Sequence, residues 1–144
     1  ARPPYAAATI GIAQAALEVA KDWALQRKTF GSHLADKQAI QWMLADSEIE
    51  LRAARLLVYQ AAWNADLGRD IKVDASIAKV YGTEVAGRVV DRCIQVLGGM
   101  GVAQELPLER WYREMRIKRI GEGPSEVHRM VIARDMLGSS RSGN

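Results

Sequence analysis

Apolar residues recur along most of the chain at steps of three and four, the spacing that lays them along one side of a helix. Ile10, Ala13, Leu17, Ala20 and Ala24 share a face and predict a first helix over residues 5–28, after the Pro3-Pro4 pair. A second seam of Ile40, Leu44, Ser47, Leu51, Ala54, Val58, Ala61 and Ala65 alternates steps of four and three, as helices in bundles do, and Gly68 is its natural stop. A third helix over residues 71–97 carries Ile77, Val80, Val90, Ile94 and Leu97 on one face and ends at Gly98-Gly99. Its inner glycines, Gly82 and Gly87, read as places of close helix approach. A fourth, shorter helix starts at Pro124, carries Val127, Met130, Val131 and Leu137, and closes at Gly138. Residues 139–144 read as a disordered tail.

The four prolines stand at positions 3, 4, 107 and 124, so the stretch between Pro4 and Pro107 is free of the residue that breaks helices. Strand signals are nearly absent, and no hairpin dipeptide joins two alternating runs. The chain is therefore expected to be all-α, an up-and-down four-helix bundle, because short links such as residues 68–70 force neighbouring helices antiparallel. Residues 98–123 are left as one long irregular connection. Connections of that length are uncommon in compact domains and tend to be functional.

Composition narrows the class. With 144 residues and 49% hydrophobic side chains, the chain suits one domain with a sizeable core. It holds no apolar run near the roughly 20 residues a bilayer crossing needs. The single cysteine, Cys93, excludes an internal disulfide and with it the secreted mini-protein class. A net charge of +3 and a pI near 9.2 would attract a phosphate-bearing ligand without demanding nucleic acid. The start, Ala1-Arg2-Pro3-Pro4-Tyr5, lacks an initiator Met and the features of a signal peptide, which reads as a piece of a longer chain.

Several constellations admit two readings. A di-iron site needs Glu-x-x-His pairs, and neither His33 nor His128 has a Glu three residues before it, so both read as surface or capping residues and no metal is expected. Ser125, His128 and Asp135 lie on one helix without the convergence a catalytic triad requires. The run Arg110, Arg113, Arg116, Lys118, Arg119 with Trp111 and Tyr112 fits nucleic acid on paper, but a solvated face with aromatics packed inward is the commoner outcome. Gly98, Gly99 and Gly101 either cap a helix or let backbone approach a phosphate. Glu122, between Gly121 and Gly123 and just before a helix, is either a helix-start carboxylate or a base on a glycine-flanked turn.

Four segments read together resemble the C-terminal domain of the acyl-CoA dehydrogenase family: Arg27-Lys28-Thr29-Phe30-Gly31 with Gln38, Gln95-Val96-Leu97-Gly98-Gly99-Met100-Gly101, Tyr112-Arg113-Glu114-Met115-Arg116-Ile117, and Glu122-Gly123-Pro124-Ser125-Glu126-Val127. The resemblance spans residues 2–137 and respects the spacing between motifs. It implies an FAD enzyme that oxidises an acyl-CoA thioester to the trans-2-enoyl-CoA and passes electrons to an electron-transferring flavoprotein. In that family a carboxylate takes the α-proton while the β-hydrogen leaves as hydride. Glu122 matches the position of that base; the alternative position, on the first helix, corresponds here to Ala1. The base's own N–H and a flavin hydroxyl hold the thioester oxygen in the family, with Gly123 and Arg2 matching positions beside the substrate. Arg27, Phe30, Gln38, Gln95, Gly98 and Gly99 match residues that contact the FAD of a neighbouring subunit, in a homo-oligomer built as a dimer of dimers.

The resemblance also implies absent parts. Relatives precede this domain, here residues 1–138, with a helical N-terminal domain and a middle β domain, so the 144-residue piece is expected to be inactive alone and to belong to a chain about three times as long. Gly121 and Pro124 depart from the aromatic residue and threonine common at those places, and the small Gly121 reads as widening the acyl pocket. A bacterial cytosol and a mitochondrial matrix are both compatible. A competing reading takes the isolated domain as a non-catalytic oligomerisation module.

Overall fold

The computed structural model describes residues 2–138, apart from the side chain of Arg2; the tail expected to be disordered lies outside the described residues. Helix α1 (Arg2–Gln26) leads into a two-residue strand pair, β1 (Lys28–Thr29) and β2 (Ser32–His33), and a short 3-10 turn. Helix α2 (Gln38–Asp66) then returns along α1, and α3 (Lys72–Leu97) returns along α2. A 3-10 turn at Gly98–Gly101 precedes α4 (Leu108–Lys118) and α5 (Ser125–Leu137). The expected all-α bundle is present. The predicted first helix is shifted, beginning near Arg2 and ending at Gln26.

The predicted faces of the first two helices are the buried ones. Ile10, Ala13, Leu17, Ala20 and Ala24 of α1 are all buried, as are Ser47, Leu51, Ala54, Val58 and Ala61 of α2, while Ala65 at the helix end is exposed. Helix α3 differs from its predicted single face. Packed by α1, α2, α4 and α5, it is buried over most of its circumference, with Ala75, Ala78, Val85, Ala86, Val89, Val90, Cys93 and Val96 in the core. Burial pushes the Cys93 thiol up to about 12 against the opposing charge of Arg92.

The short link between α2 and α3 sets them antiparallel, and polar pairs tie the two helices together. Asn64 Nδ2 donates to Asp74 Oδ2 at 2.7 Å at one end, and Glu50 accepts from Arg88 at 3.1 Å and Arg92 at 2.9 Å further along. Gly82 does mark a close approach, since a Cβ there would lie 3.4 Å from Ile10 Cδ1 and 3.5 Å from Ala6 Cβ of α1. Gly87 does not. Its Cβ position is open, and it lines a surface groove with Arg88, Tyr112 and Arg116.

The connection expected to be irregular contains a fifth helix, α4. Leu108 and Met115, one face apart by two turns, are fully buried against α3, and Pro107 stands just before the helix where its missing N–H costs nothing. Tyr112, expected to pack inward, is 45% exposed. The basic residues of α4 pair along its own surface, Arg113 with Glu109 at 3.2 Å and Arg110 with Glu114 at 3.6 Å, which is the solvated-face reading.

Candidate active site

The turn between α4 and α5 places Glu122. After Lys118 the chain tightens, with Ile120 N–H and Gly121 N–H both donating to the Ile117 carbonyl at 2.9 Å, and Ser125 N–H closes back to the Arg119 carbonyl at 3.2 Å. Glu122 adopts φ +58° and Gly123 φ +90°. Left-handed backbone costs a non-glycine residue about 1–2 kcal/mol, so Glu122 holds this conformation only because its surroundings fix it. The Glu122 side chain is exposed, and among the described residues its N–H donates to no carbonyl. The acid group is thus exposed just before the start of α5, whose N-terminal dipole favours negative charge.

Four side chains surround the inner side of this turn. His128 is fully buried on α5, with Nε2 3.1 Å from the Glu122 carbonyl oxygen and Nδ1 3.1 Å from Ser76 Oγ of α3. Lys79 of α3, also fully buried, donates from Nζ to the Gly123 carbonyl at 2.7 Å and to the Arg119 carbonyl at 3.5 Å. Tyr5 of α1 lies on the other flank, its hydroxyl donating to the Lys118 carbonyl at 3.5 Å and its ring 4.6 Å from Lys118 Nζ. Burial, and then the nearby charge of Glu122, hold the Tyr5 phenol above its ordinary pKa. Glu84 ties both ends of the turn to α3, accepting from Ser125 Oγ at 2.9 Å and lying 3.0 Å from Arg119 Nε. Burial pushes the Glu84 carboxyl up, but the Ser125 hydrogen bond and the Arg119 charge hold it below its usual value.

These contacts correct two expectations. His128 is a core residue wedged against the turn, neither a surface residue nor a helix cap. The space at Gly121 is not an enlarged pocket, because a Cβ there would lie 2.8 Å from the Tyr5 hydroxyl, which already occupies it. Ser125, His128 and Asp135 do not converge: Ser125 goes to Glu84, His128 to Ser76 and Glu122, and Asp135 is exposed. Lys79 was missed altogether. Its signal was a lysine directly between the uncharged run Ala75-Ser76-Ile77-Ala78 and Val80 in a helix with a core-facing side.

The remaining candidates gather elsewhere. Arg27 is exposed just past α1, and Phe30 stands fully exposed at the tip of the strand pair. Phe30 at φ +52° and Gly31 at φ +83° form the two-residue hairpin turn, with Phe-Gly where Asn-Gly is the usual sequence signal. Gln38 begins α2, Gln95 is exposed near the end of α3, and Gly98 and Gly99 follow it with open space at both Cβ positions. Because α3 runs parallel to α1, all six residues share one end of the bundle. Glu122 and Gly123 lie at the other end, beside Tyr5. The rise of about 1.5 Å per residue along α1 separates the two groups by roughly 33 Å. Arg2, the remaining candidate, begins α1 on the Glu122 side. Among the described residues no cluster could hold a metal ion, and no helix is long and apolar enough to cross a membrane.

Residues 1–137 match the family model of the acyl-CoA dehydrogenase C-terminal domain, and the chain belongs to the acyl-CoA dehydrogenase family. It is 44% identical over 142 residues to (R)-benzylsuccinyl-CoA dehydrogenase of Thauera aromatica, covering 98% of this chain and 35% of that one. Among solved structures it superposes on butyryl-CoA dehydrogenase of Megasphaera elsdenii with a TM-score of 0.93 and 41% identity, over 95% of this chain and 36% of that one. It also matches PigA with FAD and proline, with a TM-score of 0.92 and 29% identity, over 94% of this chain and 36% of that one. The chain thus spans about a third of the length of the relatives it matches.

Proposed function

We propose that this chain is the C-terminal domain, over residues 1–138, of an FAD-dependent acyl-CoA dehydrogenase, preceded in the whole enzyme by a helical and a β domain, with Glu122 as the base that removes the α-proton of the thioester. The observation that carries this reading is the turn itself: an exposed carboxylate on one left-handed residue, held at the start of a helix, in a chain of this family. A thioester α-proton is a poor acid, so its removal needs a base at the carbon and a donor at the carbonyl oxygen, where charge develops. The Glu122 carboxylate accepts the proton, and the Glu122 N–H donates to the thioester oxygen. Arg2 and Gly123 flank the acyl group. In this chain the carboxylate is exposed; the preceding domains supply the walls that exclude water and raise its basicity.

The residues at the opposite end suit the cofactor. An exposed guanidinium at Arg27, an exposed ring at Phe30 and bare backbone at Gly98-Gly99 fit a phosphate-bearing aromatic group. Arg27 pairs with the pyrophosphate, Phe30 packs on the flavin, and Gln38, Gln95, Gly98 and Gly99 line the adenosine side of an FAD held by a neighbouring copy. When bound, FAD supplies the hydride acceptor, and an electron-transferring flavoprotein takes the electrons onward. The exposed apolar face of α2, with Trp42, Ile49, Leu56, Tyr59 and Trp63, supports assembly into a dimer of dimers.

The test is Glu122→Gln in the full-length enzyme. A loss of turnover of about 10³-fold or more with FAD still bound is expected, since the amide keeps the shape and loses the base. Near-normal dehydrogenation would end the assignment.

A further inference from the structure

We propose that His128 and Lys79 are positioning residues for the base, acting on the backbone of Glu122 and not on substrate. The proposal rests on the reading of Glu122 given above. The Glu122 carbonyl can only accept, so His128 Nε2, 3.1 Å away, carries a proton in either charge state of the ring. In the neutral ring Nδ1 then accepts from the Ser76 hydroxyl at 3.1 Å, which fixes the tautomer. Lys79 Nζ takes the next carbonyl, Gly123, at 2.7 Å. Two consecutive carbonyls are thereby turned into the core and held there by side chains from α5 and α3. With the carbonyls of residues 122 and 123 pinned inward, at φ +58° and +90°, the two peptide planes that follow the Glu122 Cα are fixed, and with them the position from which its exposed carboxylate extends.

The fit around this clamp is tight on both sides. A Cβ on Gly123 would lie 3.0 Å from His128 Nε2, so any side chain there would press on the ring that closes on the neighbouring carbonyl. On the far flank the Tyr5 hydroxyl lies 2.8 Å from where a Gly121 Cβ would stand. A fully buried lysine is a costly donor where a neutral one would satisfy the same carbonyl. Three nitrogen-to-oxygen contacts from two buried side chains converge on residues 119–123, an arrangement that fixes a direction for Glu122.

The experiment uses the full-length, FAD-loaded enzyme and compares His128→Met, His128→Gln and Glu122→Gln by kcat, KM, FAD content and thermal midpoint. Met fills the space without donating, while the Gln amide can reach the same carbonyl. H128M is expected to lower kcat by about ten- to hundredfold with KM changed less than about twofold, the scale of a misplaced catalytic group. H128Q should recover kcat to within about threefold of the parent, whatever thermal midpoint the two variants share. A kcat for H128M within about twofold of the parent, or an H128Q as impaired as H128M, overturns the proposal. Where H128M fails to retain FAD, Ser76→Ala decides: a kcat lowered about threefold or more at full FAD content supports the clamp, and an unchanged kcat overturns it. Glu122→Gln separates the two layers. If it stays active, the base assignment fails; if it is dead while H128M turns over normally, the base stands and only the positioning role falls.

Discussion

Gly123 is a residue at which one methyl group meets two separate obstacles. Its φ of +90° disfavours any side chain, and the methyl would press on His128 Nε2 at 3.0 Å. Gly31, at φ +83°, meets only the first, because nothing lies within 4 Å of its Cβ position. Gly31→Ala should therefore cost about 1 kcal/mol and Gly123→Ala about 2–3 kcal/mol, compared by urea denaturation. Equal losses would show that His128 yields and does not grip the turn. The same comparison explains what was legible at this scale. Gly-Glu-Gly-Pro announced a turn carrying a carboxylate, because glycine and proline record backbone geometry in their identity. Lys79 and His128 left no such record, since they serve backbone carbonyls, and the Gly123 carbonyl that Lys79 holds is 44 residues along the chain.

Among the elements, legibility followed how one-sided each helix is. Helices α1 and α2 bury one stripe, and their periodicity named it. Helix α3 is contacted from most directions and spreads its buried residues, Val85, Val89, Val90, Cys93 and Val96 among them, around its circumference, so no single stripe records its burial. Helix α4 is short and mostly polar, with only Leu108 and Met115 fully buried, so its stripe was too thin to stand out. What locks the elements together is more sensitive to pH than the core itself. Glu50 of α2 feels burial, which raises its pKa, but its hydrogen bonds with Arg92 and Arg88 of α3 hold the carboxyl below the usual value, and Glu84 is likewise lowered. A carboxyl depressed in the folded state stabilises above its unfolded pKa, about 4.3, and loses that contribution as pH falls through the folded value. Stability is thus expected to decline below about pH 4.5, and Glu50→Gln to lose about 1 kcal/mol at neutral pH while flattening the acid decline. Parallel acid and neutral denaturation curves for E50Q and the parent, offset equally at both pH values, would remove Glu50 from this role.

At the scale of the whole molecule, the candidate residues form two groups about 33 Å apart at opposite ends of one bundle. Under the proposed function they serve different active sites: Glu122 acts on the substrate of its own copy, and Arg27 reaches the FAD of its neighbour. An isologous dimer then has two sites, each drawing Glu122 from one chain and Arg27 from the other. This can be read by mixing two defects in the full-length enzyme. Arg27→Ala alone should weaken FAD retention at both sites, and Glu122→Gln alone should remove the base from both. In a mixed dimer one site receives both substitutions and the other receives neither. With random pairing about a quarter of all sites are intact, so co-expressed, differently tagged chains should recover about a quarter of the parent activity per chain, well above the mean of the two pure variants measured per chain. If Arg27 instead served its own copy, every site in the mixture would carry a defect, and activity would match that mean.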